Sequence, residues 1–194
     1  MEALHRDNFG LLIAYVIPGF IVLWGIGLHS EIVAGWLGKS TDAAPTIGGF
    51  LYVTLASVAV GLLVSTLRWA VVDTIHHRTG IPEPTWDFSR LQTNLAGFVG
   101  TVENHYRFYQ FHANAFLALL LVFVAYAADE ADRSPSFGAA TLAFVLIEAI
   151  LWYGSRDTLR KYYDRGGALL NLPSRNENGG RHRKPAIRLE GLFR

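Results

Sequence analysis

A chain of 194 residues with a formal charge of +1 has room for one compact bundle and little else. Hydrophobic residues make up 51% of it and the mean hydropathy is +0.25, high for a water-soluble domain and ordinary for a membrane bundle with a polar tail. There is no cysteine, which excludes disulfides, thiol nucleophiles and cysteine-based metal sites.

Four apolar runs dominate, at 9–28, 47–67, 109–128 and 137–154. About 20 helical residues cross a hydrocarbon core of ~30 Å, so each run is expected to be one span. The first is free of charge, and Asp7 or Asn8 stands where a helix cap belongs. The residues before it lack the basic region of a secretion signal, and no small-residue cleavage site follows cleanly. The run is therefore expected to remain as an anchor. Pro18 and Gly19 lie mid-span, where a proline removes a backbone hydrogen bond and should kink the helix.

In the second run Ser57, Gly61 and Ser65 recur every four residues on one face. Small residues at that spacing let helix backbones approach closely, within the chain or between copies. The helical pattern continues past Leu67 through Arg68, Trp69 and Asp73 to about Arg78, where Gly80 supplies a stop. At ~1.5 Å per residue this helix overshoots a membrane by several turns. Ile81-Pro82-Glu83-Pro84 reads as a non-helical turn. Asp87 or Ser89 then starts a helix, with Leu91, Leu95, Phe98 and Val102 spaced as one apolar face. The connection 68–108 is thus expected to form a small helical layer, or an amphipathic element along the interface.

The third run is entered through Tyr106, Phe108, Tyr109, Gln110, Phe111, His112 and Asn114, whose rings are expected to form a headgroup-level aromatic belt. Asp129, Glu130 and Asp132 end it, and Ser134-Pro135 suits the cap and first turn of the fourth run. The fourth run leaves through a mixed aromatic and basic rim from Trp152 to Tyr163. Beyond Arg165 the chain becomes polar and glycine-rich. Residues 166–194 are expected to be a basic tail, separate from a transmembrane domain over 1–165.

The 17 Lys and Arg residues are divided unevenly around these runs. If each run crosses once, fifteen lie on one side and only Lys39 and Arg133 on the other. Positive charge marks cytoplasmic loops. The expected fold is therefore all-α: a four-span transmembrane helical bundle with both termini and its extended helix ends in the cytoplasm, and oligomeric.

Three constellations carry candidate chemistry. Glu148 is the one acid inside a run. A charge at mid-bilayer costs ~3 kcal/mol, so it should be protonated, paired or turned to a wet interior. It reads either as an ion or proton site, or as a neutral acid hydrogen-bonded to Tyr15, Thr54, Ser57 or Asn114. Asp73, His76 and His77 share one helix turn and, with His105 or His112, have the donor types of a metal site. No zinc-binding signature accompanies them, so no metal or cofactor is assigned. Arg181, Arg183 and Lys184 form a polybasic patch that reads as a solvated, topogenic tail or as a site for anionic lipid or a protein partner; nucleic acid is the lesser anionic candidate. No nucleophile elbow, phosphate-binding glycine loop or metalloprotease helix is present.

The run His105-Tyr-Arg-Phe-Tyr-Gln-Phe-His-Ala-Asn114 before an aliphatic span, with Ala14-Tyr-Val-Ile-Pro-Gly-Phe20, resembles a pattern in small, uncharacterised bacterial four-helix membrane proteins. That resemblance implies a bacterial inner-membrane location and carries no active residues. The expected function is a non-enzymatic membrane sensor or scaffold that engages a cytoplasmic partner, in the setting of a bacterial defence or stress system. The alternatives are an oligomeric channel or permeabilising protein using Glu148, and a membrane-embedded enzyme.

Overall fold

Apolar runs without charges fold as helices whose backbone groups are satisfied internally, and they set the architecture here. The computed structural model describes residue 10 and residues 12–38, 47–130 and 138–171. Every regular element among these is helical. In chain order they are α1 (Leu12–Ile26), the short α2 (Glu31–Trp36), α3 (Ile47–Arg78), α4 and α5 (Ala139–Leu170). Helix α4 is one path built from Leu91–Thr101, Val102–Tyr106 and Arg107–Glu130 in succession. Three of the helices are long and apolar enough to cross a membrane; α1 is shorter.

Helix α1 opens with a wide π turn, Leu12–Val16, before its α-helical part Ile17–Ile26. Pro18 therefore stands in the first α turn, where the helix changes type. Pro18 has no N–H for the carbonyl four residues back, that of Ala14. The Asn114 side-chain amide donates to that carbonyl instead, at 2.7 Å. Asn114→Leu is expected to cost about 1–3 kcal/mol by stranding the Ala14 oxygen. In a Pro18→Ala background position 18 regains an N–H, and the loss should shrink. A double-mutant cycle on thermal unfolding measures this, and strictly additive losses would show that Asn114 acts through packing alone.

The Ser57–Gly61 face of α3 is filled by α1. A Cβ on Gly61 would land on the Tyr15 carbonyl oxygen, and one on Gly19 would strike the Ser57 carbonyl. Ser57 is buried, while Ser65 is only half-buried and plays a lesser part. The close-packing face is thus used inside the chain. Val64, Leu117 and Ala118 complete this half of the core, with Ile21, Val22 and Val60 against them. The outward faces remain apolar and exposed, from Ile47 and Phe50 to Leu62 and Trp69 on α3, and from Leu142 to Ile150 and Tyr153 on α5.

The other half is aromatic and polar. Its core joins Val72, Ile81, Tyr109, Leu159 and Tyr162, flanked by Trp86, Tyr106, Trp152 and Tyr163. Helix α3 ends at Arg78, and Gly80 turns the chain with φ +98°. A non-helical strap, 81–87, then crosses to α4. Asp87 caps the following turn, accepting from the Ser89 amide at 3.0 Å and its hydroxyl at 2.6 Å. These donors hold its carboxyl below the usual carboxylate range.

Four expectations change. The 68–108 connection does not end before a separate third span: its helix runs on through a π turn, Val102–Tyr106. The buried side of that helix is Thr101 with half-buried Leu91, Asn94, Phe98 and Val102, so that of the expected apolar face Leu95 alone is exposed. Asn94 is drawn inward because its amide donates to the Leu169 carbonyl at the end of α5, at 2.9 Å. Tyr109 and Tyr106 are not a headgroup belt. Tyr109 is fully buried and Tyr106 packs on Tyr162, with ring centroids 4.8 Å apart. Finally, α5 continues through Gly166 and Gly167 to Leu170, past the expected start of the tail. The expected caps Asp7, Asn8 and Ser134, together with Asp132, Lys39, Arg133 and the patch Arg181, Arg183 and Lys184, lie outside the described residues, whereas Asp129 and Glu130 of the expected acidic loop still belong to α4.

Candidate functional site at the polar end of the bundle

Arg68 sits where the α-helical part of α3 gives way to a π turn, Trp69–Asp73. One extra residue per turn swings Asp73 back toward Arg68, and such turns recur at functional sites. The Arg68 Nη1 donates to both Asp73 carboxylate oxygens, at 2.7 and 3.0 Å, from a side chain only 4% exposed. The Tyr109 hydroxyl donates to the same carboxylate, and the Arg68 guanidinium lies 5.1 Å from the Tyr109 ring centroid. A buried Arg is tolerable only with this much compensation.

One turn on, His76 is fully buried between α3 and α5. Its Nε2 lies 2.9 Å from Ser155 Oγ, whose proton is committed to the Trp152 carbonyl at 2.8 Å. Nε2 must therefore be the donor, leaving Nδ1 to accept from Arg156 Nη1 at 3.4 Å. This assigns a neutral imidazole. Arg156 also donates to the Thr79 hydroxyl and carbonyl, at 2.6 and 2.8 Å, which ties the end of α3 to α5. Ser155 is fully buried, so this Ser–His pair is a clasp and offers no nucleophile.

The three residues once grouped as a metal candidate have parted company. Asp73 binds Arg68 and Tyr109, His76 binds Ser155, and His77 Nε2 meets the Tyr163 hydroxyl at 3.0 Å. No cluster suited to a metal ion occurs among the described residues.

The strap is seated by Trp86, which packs edge-on against Phe98, Tyr162 and Tyr163 at 5.2–5.9 Å. Gly166 makes room for it: a Cβ there would press on the Trp86 ring at 2.6 Å. Asn171 clamps the strap backbone, donating to the Thr85 carbonyl and accepting from the Asp87 amide, both at 3.1 Å. Between strap and α5 lies an open groove of about 540 Å³, lined among others by Glu83, Trp86, Arg160, Tyr163 and Asp164. Sequence reading missed this groove. The Pro82-Glu83-Pro84 motif was legible as a turn, but its partner surface is 80 residues further on.

Glu148 lies in the apolar half, on α5. It is 8% exposed, and neither carboxylate oxygen has a hydrogen-bond partner among the described residues. The candidates Tyr15, Thr54 and Asn114 bond elsewhere: Tyr15 with Gln110, Thr54 with the Phe50 carbonyl and Asn114 with Ala14. Ser57 Oγ is buried without a partner of its own. Glu148 lies between two ring pairs that register α4 against α5, Phe116 with Trp152 and Phe123 with Phe144.

The chain matches no protein-family model, no curated protein and no solved structure.

Proposed function

We propose that the protein is a four-span inner-membrane scaffold or sensor, non-enzymatic and self-associating, that presents its polar end to a cytoplasmic protein partner. The observation that carries this reading is the overshoot of its helices. Helices of 32 residues are about 48 Å long against a hydrocarbon core of ~30 Å. The surplus is a fixed aromatic layer with a groove on its surface. On α5 the exposed large apolar residues end at Tyr153, 17 residues before the helix does, which supports a boundary near that level. The uneven division of Lys and Arg supports a cytoplasmic polar end and cytoplasmic termini. A bacterial defence or stress setting is the class of role proposed, and the genes beside this one are its quickest test.

Reporter fusions at Lys39 and at the C-terminus should give opposite readings for sidedness; equal readings would end the four-span proposal. A photoreactive residue at Glu83 in living cells is expected to capture a discrete second protein, while one at Ile47 captures lipid. Capture of lipid at both positions would remove the scaffold reading.

Glu148 favours a second reading, an oligomeric channel. A buried carboxyl with both oxygens unpartnered is costly, and another copy or a passing cation would satisfy it. Glu148→Gln keeps shape and removes titration. In liposomes loaded with a cation-sensitive dye, the channel reading expects wild-type flux and its loss in Glu148→Gln with assembly intact on native mass spectrometry. Absence of flux from the wild type returns the residue to a structural role.

A further inference from the structure

The groove at the polar end has a marked chemical bias. Two of the residues along the strap, Pro82 and Pro84, have no N–H to donate. Glu83 and Asp164 add two carboxylates against the single guanidinium of Arg160, and Trp86 and Tyr163 supply aromatic surface. The wall is rich in acceptors and poor in donors. It suits a segment that brings several cationic donors, because Lys and Arg combine ion pairing with contact on aromatic faces.

The chain itself carries such a segment. Asn171 is part of the groove lining and bonds the strap backbone on both sides, so the polypeptide leaves α5 at the groove's lip. Residues 172–194 follow, with six Lys or Arg against Glu177 and Glu190. Arg181, His182, Arg183 and Lys184 begin ten residues beyond Asn171. A coil of ten residues has a root-mean-square span of about 16–19 Å. A segment held at that reach has an effective concentration on the order of mM, well above that of a free partner.

We infer that the basic segment 181–184 docks in the groove between the strap and α5 of its own chain. Anionic lipid competes for the same cations and would draw them off the groove. The inference needs only the groove and the charge of the segment, and it stands or falls separately from the scaffold reading.

Zero-length carbodiimide coupling on the full-length protein, in nanodiscs of phosphatidylcholine alone, tests it. The chain has three lysines, and Lys184 is the only one beyond Lys161. Lys161 Nζ lies 2.6 Å from Asp157 and gives an internal standard. The expected result is an isopeptide link from Lys184 to Glu83 or Asp164, read by peptide mass spectrometry. Its yield should fall several-fold in Arg181→Gln/Arg183→Gln, where Lys184 remains to react, with the standard link unchanged. A mixture of light and isotopically heavy protein should show the link within one chain. Three outcomes would overturn the inference: the standard link without any Lys184 link to the groove, Lys184 joined only to Glu177 or Glu190, or Lys184 linked to the groove only between copies.

Discussion

Asp73→Ala is expected to lower stability by about 3–5 kcal/mol, the cost of leaving a buried charge without its partner. Arg68 is 4% exposed, and both hydrogen bonds from its Nη1 end on Asp73. Its Nε is buried without an acceptor among the described residues. The substitution also takes the acceptor from the Tyr109 hydroxyl, whose side chain has no exposed surface. Asp73→Asn keeps an acceptor for Tyr109 and should lose less. The double substitution Arg68→Met with Asp73→Leu removes both charges and should recover most of the loss. Thermal unfolding in one detergent compares all three. A double variant as weak as Asp73→Ala would show that shape, not the stranded guanidinium, sets the cost.

Gly61→Leu should cost at least about 3 kcal/mol, the upper end of overpacking penalties. The contact at Gly61 is backbone against backbone: its missing Cβ would meet the Tyr15 carbonyl oxygen and carbon. No rotamer change relieves that, so α1 has to move away from α3, and Pro18 and Asn114 lose their arrangement with it. Gly100 is the matched control, being helical with nothing within 4 Å of a Cβ. Gly100→Ala should stabilise by roughly 0.5–1 kcal/mol through helix propensity. The melting temperatures of the two variants should therefore move in opposite directions. A wild-type melting temperature for Gly61→Leu would mean that α1 does not rest on that face.

Much of the helical plan was legible because apolar runs and their punctuation are local signals. The overshoot of α3 to Arg78, the stop at Gly80 and the break at Pro82 follow from adjacent residues. What escaped was chemistry between distant segments. Asn114 looked like an interfacial polar residue, and its role depends on a carbonyl vacated by Pro18 a hundred residues earlier. Tyr109 looked like a belt residue because aromatic rings at a span's end usually meet headgroups, yet a buried Asp73–Arg68 pair draws it inward. Gly166 looked like the start of a tail, and its bare Cα instead seats Trp86. Glu148 was found because an acid in an apolar run stands out unaided; the lack of a partner for it was not predictable from any spacing.

The wide turns at Trp69–Asp73 and Val102–Tyr106 give the long helices a change of phase. An extra residue rotates everything beyond it by about 100°. Below its wide turn α3 meets α1 through Ser57 and Gly61, and beyond it the same helix meets α5 through His76, with Thr79 just past its end. A single deletion within 69–73 would leave the Gly61 contact in register and carry His76 off Ser155. The two ends of one continuous rod are thus indexed independently, and insertions or deletions at these turns are where variants of this architecture can re-aim one end without disturbing the other.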